Sequence, residues 1–328
     1  MTSTSMINLY SQLKMAGIPK TYAKKVLPEW WEDEIALTDA GLQQAHLYFS
    51  RAFNLDLSSF LEGNFTPNFH SVEHKFKLNK NVTEADVSVG AHYVTAMAKI
   101  ALTATSKDFV HPPKDPSVLR EQILKNNEFV GLKELLEYCS NIGIPVLHIA
   151  NIPGKKMTGL AIRLNGRFAI VLSKSAHPAY LLFHLAHELG HIAMNHLSKD
   201  GFIVDAKTSS NSGDDADENE ADAYAIRLLN GAEKKYSADG HITSGKQLYL
   251  AASTLASSIK VDVGHIILNF AKNNNCFNTA AVALKYLSGP ENGNHIINDY
   301  LFKTLNISSI SDDQKHLLET ATDFSNNA

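Results

Sequence analysis

Hydrophobic positions along this chain recur with helical spacing over most of its length and with strand spacing in one central stretch. Leu9, Leu13 and Ala16 repeat at intervals of three and four before Gly17-Ile18-Pro19 breaks the pattern. Leu42, Ala45, Phe49, Ala52 and Phe53 mark a second amphipathic helix. A third begins at Thr83, where Asp86 completes a capping-box pattern, and places Val87, Ala91, Val94, Ala98 and Ala101 on one side. Residues 105–117, with Pro112, Pro113 and Pro116, read as a linker, and residues 118–140 as one further helix. The period then changes. Residues 144–149, Thr158–Leu164 and Arg167–Ser173 read as strands, the last two joined by Asn165-Gly166, a pair suited to a two-residue hairpin turn. Tyr180–His196 returns to helical spacing. Ser198–Asp217 is polar apart from Phe202-Ile203-Val204 and is expected to be a mobile lid or a disordered loop. A helix follows to Leu229, and Leu248–Ser258 and Val263–Ala271 give a helix-turn-helix outline that any helical hairpin also produces.

Composition narrows the class. A chain of 328 residues with 44% hydrophobic content can bury a sizeable core, and a net charge of −4 argues against coating nucleic acid or anionic membrane by bulk charge. The basic alternation at His74–Lys80 reads as a strand with a solvated face, since it has no arginines for phosphate. Neither a signal pattern nor a long apolar run is found, so the expected compartment is the cytoplasm. Cys139 and Cys276 form no metal or redox spacing and read as reduced thiols in the core. Trp30 and Trp31 read as anchors of a turn, and His92 as structural.

The helix at 180–196 changes the picture. Leu181, Leu182, Leu185, Leu189, Ile192 and Ala193 form one apolar face, while Tyr180, His184, His187, Glu188, His191 and Asn195 gather on the other. His187 and His191, at i and i+4, lie one above the other, with Glu188 beside them in the order H-E-L-G-H. Two imidazoles and an adjacent carboxylate define a metal pair with a base next to it. A catalytic zinc ion takes three protein ligands and leaves one position open, so a third donor is required. The helix Asp217–Leu229 supplies two candidates. Glu218 shares a face with Ala221, Asp222, Ala225 and Leu229, whose alanines permit close helix approach; Glu220 shares another with Tyr224 and Arg227. Glu218 is preferred, and Glu220 stays as the alternative ligand. Asp222, one turn beyond Glu218, is placed to accept the free ring N–H of a ligand histidine, His187 foremost. A donor for a developing oxyanion could come from His265, Tyr180 or His184, with nothing to separate them; His265 reads first as a capping or surface histidine.

The H-E-L-G-H helix followed by E-x-E-A-D-A-Y-A-x-x-L-L resembles the ImmA/IrrE family of metallopeptidases, found largely in bacteria and their mobile elements. The resemblance covers roughly residues 130–232, including Gly143–His148 and Ala169–Ser173. It implies a zincin fold, a single zinc ion (or manganese in its place) on His187, His191 and Glu218, and Glu188 as the catalytic glutamate. Where family members commonly continue Leu-Leu-Met-Pro, this chain has Leu228-Leu229-Asn230-Gly231, which leaves the stop of that helix open.

The expected architecture is α+β: a helical region at 1–66, a basic strand, helix and linker at 67–117, a zincin-like core at 118–235 and a helical region at 236–328. The expected activity is that of a zinc endopeptidase, with Glu188 taking a proton from water whose pKa the metal lowers to about 7. By the resemblance, its substrate is a helix-turn-helix transcriptional repressor or antitoxin-like partner encoded nearby, and its setting is transcription regulation in stress response or on mobile elements. The rival from another class is a non-catalytic module with a zincin-like core that docks to protein or DNA.

Overall fold

The computed structural model describes residues 6–60, 68–70, 73–77, 84–154, 157–174, 177–205, 216–237, 242–287 and 292–324. Among these, thirteen α-helices surround one five-stranded sheet. The helices are α1 (Met6–Met15), α2 (Lys20–Lys25), α3 (Asp39–Phe53), α4 (Glu84–Ala104), α5 (Pro116–Leu124), α6 (Leu132–Asn141), α7 (Pro178–Ala193), α8 (Ala216–Asn230), α9 (Gly245–Ile259), α10 (Val263–Asn274), α11 (Phe277–Leu284), α12 (Gly293–Thr304) and α13 (Asp312–Thr322). The strands are β1 (Glu73–Lys77), β2 (Val146–His148), β3 (Gly159–Leu164), β4 (Arg167–Leu172) and β5 (Gly201–Asp205), in the order β1-β5-β3-β4-β2.

Alternation in the strands builds a three-layer core. Leu147, Leu160, Ile162, Ala169, Val171 and Phe202 face the N-terminal helices and α4. Val146, Ala161, Phe168, Ile170, Leu172 and Ile203 face α6, α7 and α8 on the opposite side. A one-residue slip would exchange these faces, so register is fixed by both neighbouring layers. Asn165 and Gly166 adopt φ values of 51° and 74°, the two left-handed residues that the β3–β4 hairpin needs. Helices α9, α10 and α11 close a third cluster around Leu248, Ile267 and Ala280.

Several expectations change here. The helix expected at 118–140 is two, α5 and α6, separated around Gly131, which precedes the first residue of α6. The expected linker is packed: the Val110 N–H donates to Ile142 O, Tyr224 OH donates to Pro113 O, and Asp115 caps α5. The apolar triplet of the expected lid belongs to β5, antiparallel to β3, with Phe202 and Ile203 fully buried; residues 206–215 lie outside the described residues, as do Thr83 and residues 78–80. Trp31 is buried against Tyr48, whereas Trp30 is exposed. Cys139 is buried, and Cys276 is half-buried beside the third cluster.

Strand β3 is hydrogen-bonded on both sides, to β4 and to β5, so the sheet ends at β1 and β2. The β2 edge is covered by the buried Asn298 of α12. Its amide oxygen accepts from the His148 N–H at 2.9 Å, and its amide nitrogen donates to His148 O and Thr322 O, each at 2.9 Å. One side chain thus stands in for a strand.

Guanidinium groups tie helix ends to this frame. Arg120, 8% exposed, donates to Leu228 O and Leu229 O at the end of α8 and to Lys260 O after α9. With Gly231 at φ 81° donating to Arg227 O, this supplies the stop of α8 that the Asn-Gly sequence left open. Arg167 fastens the end of α4 in the same way through Leu102 O and Thr105 O. Among the described residues no helix is long and apolar enough to cross a membrane.

Candidate metal centre

Helix α7 starts where Pro178 occupies its first position and the His177 ring accepts from the Ala179 N–H. Its apolar face packs on the sheet, but its polar face is buried too: His187, Glu188 and His191 are 5%, 1% and 0% exposed. Helix α8 covers them. The close approach depends on Gly190 in H-E-L-G-H, where a Cβ would stand 3.1 Å from Ala221 Cα and O and 3.2 Å from Tyr224 Cβ. Small residues on both helices therefore set the depth at which α8 presents Glu218. That carboxylate sits in the first turn of α8, where the helix dipole favours negative charge.

His187, His191 and Glu218 bring one ligand atom each within 4.8 Å of one another. His187 Nε2 lies 3.1 Å from His191 Nε2 and 3.6 Å from Glu218 Oε2, and His191 Nε2 lies 3.3 Å from Glu218 Oε1. Three tetrahedral donors at zinc bond lengths should be separated by about 3.4 Å. The spacing, the burial and the two-nitrogen, one-oxygen donor set all fit that ion.

The remaining acids of α8 act on the histidines from behind. Asp222 Oδ1 is 2.9 Å from His187 Nδ1. An ionised carboxylate only accepts, so Nδ1 carries a proton, and Nε2 is the nitrogen that would give up its hydrogen to bind a metal. Glu220, the alternative ligand, lies outside the three-donor group; its Oε2 is 3.1 Å from His196 Nε2, and its side chain is 54% exposed. Helix geometry explains the separation, since residues 218 and 222 project together and 220 does not.

Glu188 is not among the three grouped donors, and its carboxylate lies against β3. Gly159 opens that strand, and a Cβ there would overlap Glu188 Oε1 and stand 2.9 Å from its carboxyl carbon. The missing side chain is the space the carboxylate occupies. Charges around the site are tightly linked. Burial opposes protonation of His187, yet the Asp222 hydrogen bond and the charges of Glu188, Asp222 and Glu218 outweigh it and raise its pKa to about 9. Burial lowers His191 to about 4, with Glu218 opposing and the His187 charge reinforcing the fall. Two imidazoles this close do not both carry a positive charge. For Asp222, burial works against ionisation, but the hydrogen bond and charge of His187, with Lys272, hold its carboxyl below the usual range.

The three oxyanion candidates are placed differently. His184 is half-buried one turn before His187, and burial, then the His187 charge, keep it neutral. Tyr180 packs against the α9–α11 cluster. His265 is fully buried rather than at the surface; its backbone N–H is capped by Asp262, and its ring stacks on Phe183 with centroids 6.5 Å apart. Burial, then Arg120, lowers its pKa to about 4. Sequence reasoning missed His196, Gly159 and Arg120. For His196 the signal was present, a histidine directly after an asparagine at the end of the motif helix.

Two histidines on one helix and a glutamate on a second, brought together by small residues, form a group that could hold a metal ion. Residues 141–233 match the family model described as the IrrE N-terminal-like domain of the M78 peptidases. No curated protein matches the chain. The matched span contains β2, β3, β4, α7, β5 and α8, and with them all three donors and Glu188.

Proposed function

We propose that this protein is a zinc-dependent endopeptidase that cuts a small helix-turn-helix repressor at one bond. The observation that carries the reading is the juxtaposition of three zinc-spaced donors with a buried carboxylate that is not among them. His187, His191 and Glu218 would hold the ion, which when bound supplies the Lewis acidity that acidifies water and polarises a carbonyl. Glu188 takes the proton from the attacking water at its carboxylate and returns it to the departing amine. Gly159 leaves that carboxylate the room it occupies. Asp222 holds the proton on His187 Nδ1 throughout, so the metal-facing nitrogen stays a donor.

Selectivity is supported by the sheet. Strand β3 passes over Glu188 with both edges paired, so indiscriminate addition of an extended peptide beside it would require β5 to leave. A partner chosen by docking outside the cleft, over an interface of about 800 Å² per side, meets that restriction better than an unfolded chain does. The repressor as substrate rests on the family resemblance. The test is incubation of zinc-loaded protein with casein and with the repressor encoded beside it, followed by mass spectrometry, with Glu188→Gln as control. Single-site cleavage of the repressor and intact casein are expected. Broad casein digestion would overturn the docking argument. An intact repressor at full zinc occupancy would overturn the reading in favour of a non-catalytic module.

A further inference from the structure

His196 stands behind His191 and reaches outward to an acid of α8. The helix stop puts it there. Asn195 has φ 60°, its N–H donates to Ile192 O at 3.0 Å, and the His196 N–H donates to His191 O at 3.0 Å. This paired closure brings the side chain two places beyond the helix end onto the one in its last turn, a contact that is usually apolar. Here both positions are histidine. The His191 and His196 Nδ1 atoms are 2.8 Å apart, with ring centroids at 5.0 Å, and His196 is 8% exposed. His196 Nε2 in turn lies 3.1 Å from Glu220 Oε2 and 3.9 Å from Asp217 Oδ1.

We propose that His196 is a positioning residue for the metal centre, relaying the hold of Glu220 onto His191 so that the metal-facing nitrogen of His191 keeps its lone pair. The chain of donors has one consistent direction. Glu220 is a carboxylate and accepts, so His196 Nε2 carries hydrogen. With that hydrogen on Nε2, His196 Nδ1 is the acceptor of the 2.8 Å ring-to-ring contact, and the hydrogen between the rings belongs to His191 Nδ1. His191 Nε2, the atom within 3.3 Å of Glu218, is left as an electron-pair donor. Reversing that central bond would put hydrogen on His191 Nε2 and block coordination. The acids of α8 thus divide the work: Glu218 binds directly, Asp222 orients His187 through one contact, and Glu220 orients His191 through two.

This rests on the zinc reading above, and the test separates the two. Zinc affinity is measured by competition with a chromophoric chelator for the parent, His196→Phe, Glu220→Leu and Asn195→Gly. Phenylalanine keeps a ring against His191 without an acceptor, leucine removes an exposed carboxylate at little risk to folding, and glycine keeps the left-handed turn. Loss of a partner behind a ligand histidine typically weakens binding about 10–100-fold. His196→Phe should fall in that range, Glu220→Leu should lose several-fold, and Asn195→Gly should match the parent. Long-range proton–nitrogen spectra of the metal-free proteins give a second readout, in which His191 is Nδ1-protonated in the parent and redistributes toward Nε2 in His196→Phe. Parent-like affinity in both His196→Phe and Glu220→Leu, with His191 still Nδ1-protonated, overturns the relay alone. A parent that binds no zinc overturns the relay together with the site.

Discussion

Gly159→Ala perturbs catalysis while leaving the metal donors in place. The added methyl would overlap Glu188 Oε1 and stand 2.9 Å from its carboxyl carbon and 3.1 Å from Cγ, all within a fully buried site. Carbon atoms settle at about 3.5–4.0 Å, so relief requires the carboxylate to move by about 1 Å. The backbone of β3 cannot yield instead, because it is hydrogen-bonded to β4 and β5 on both sides. The side chain is the softer partner, so the fold survives and the geometry does not. A misplacement of about 1 Å at a catalytic group costs on the order of 100-fold in rate. Zinc affinity should stay within about twofold of the parent, since His187, His191 and Glu218 are not touched. The assay is kcat on the cleaved repressor, with zinc titration and thermal melting on the same preparation. Parent-like kcat would refute the claim that Gly159 shapes the base site, and loss of zinc would show that Glu188 and the donors are not independent.

Other consequences follow from the frame around the site. Arg120→Met leaves Leu228 O, Leu229 O and Lys260 O without their buried donor and should cost roughly 3 kcal/mol in denaturant unfolding; a loss below about 1 kcal/mol would contradict the capping role. Asn298→Leu unpairs both backbone groups of His148 at the β2 edge and should cost about 2–4 kcal/mol, with amide exchange at His148 as the local readout. Burial pushes the Cys139 thiol up to about 12, so iodoacetamide should leave Cys139 unmodified in the native protein at pH 8 and react only on unfolding; rapid native labelling would place it wrongly.

What was legible in the sequence was local. The apolar face of α7, the i and i+4 histidines and the face shared by residues 218 and 222 follow from helix geometry alone, and the structure brings the side chains of His187, His191, Glu218 and Asp222 together. The Asn165-Gly166 turn was legible because the residue types carry the left-handed conformation themselves. What escaped depends on partners far along the chain. The triplet Phe202-Ile203-Val204 is too short to declare a strand and becomes one by pairing with β3. Proline residues at 112, 113 and 116 look like a linker until the Tyr224 hydroxyl, from another helix, binds Pro113 O. Gly159 reads as an ordinary strand glycine, and only the position of Glu188 gives it a purpose. His196 could have been found, because asparagine at a helix stop folds the next residue back onto the last turn.

The central claim is that His187, His191 and Glu218 hold one zinc ion while Glu188 stands beside it as a base. Metal content by mass spectrometry, measured together with repressor cleavage on the parent, Glu218→Ala, Glu220→Ala and Glu188→Gln, tests it most directly. About one zinc ion per chain is expected in the parent, Glu220→Ala and Glu188→Gln, with cleavage lost in Glu188→Gln alone of these three, and both zinc and cleavage should be lost in Glu218→Ala. Full zinc occupancy in Glu218→Ala, or undiminished cleavage by Glu188→Gln, would contradict it.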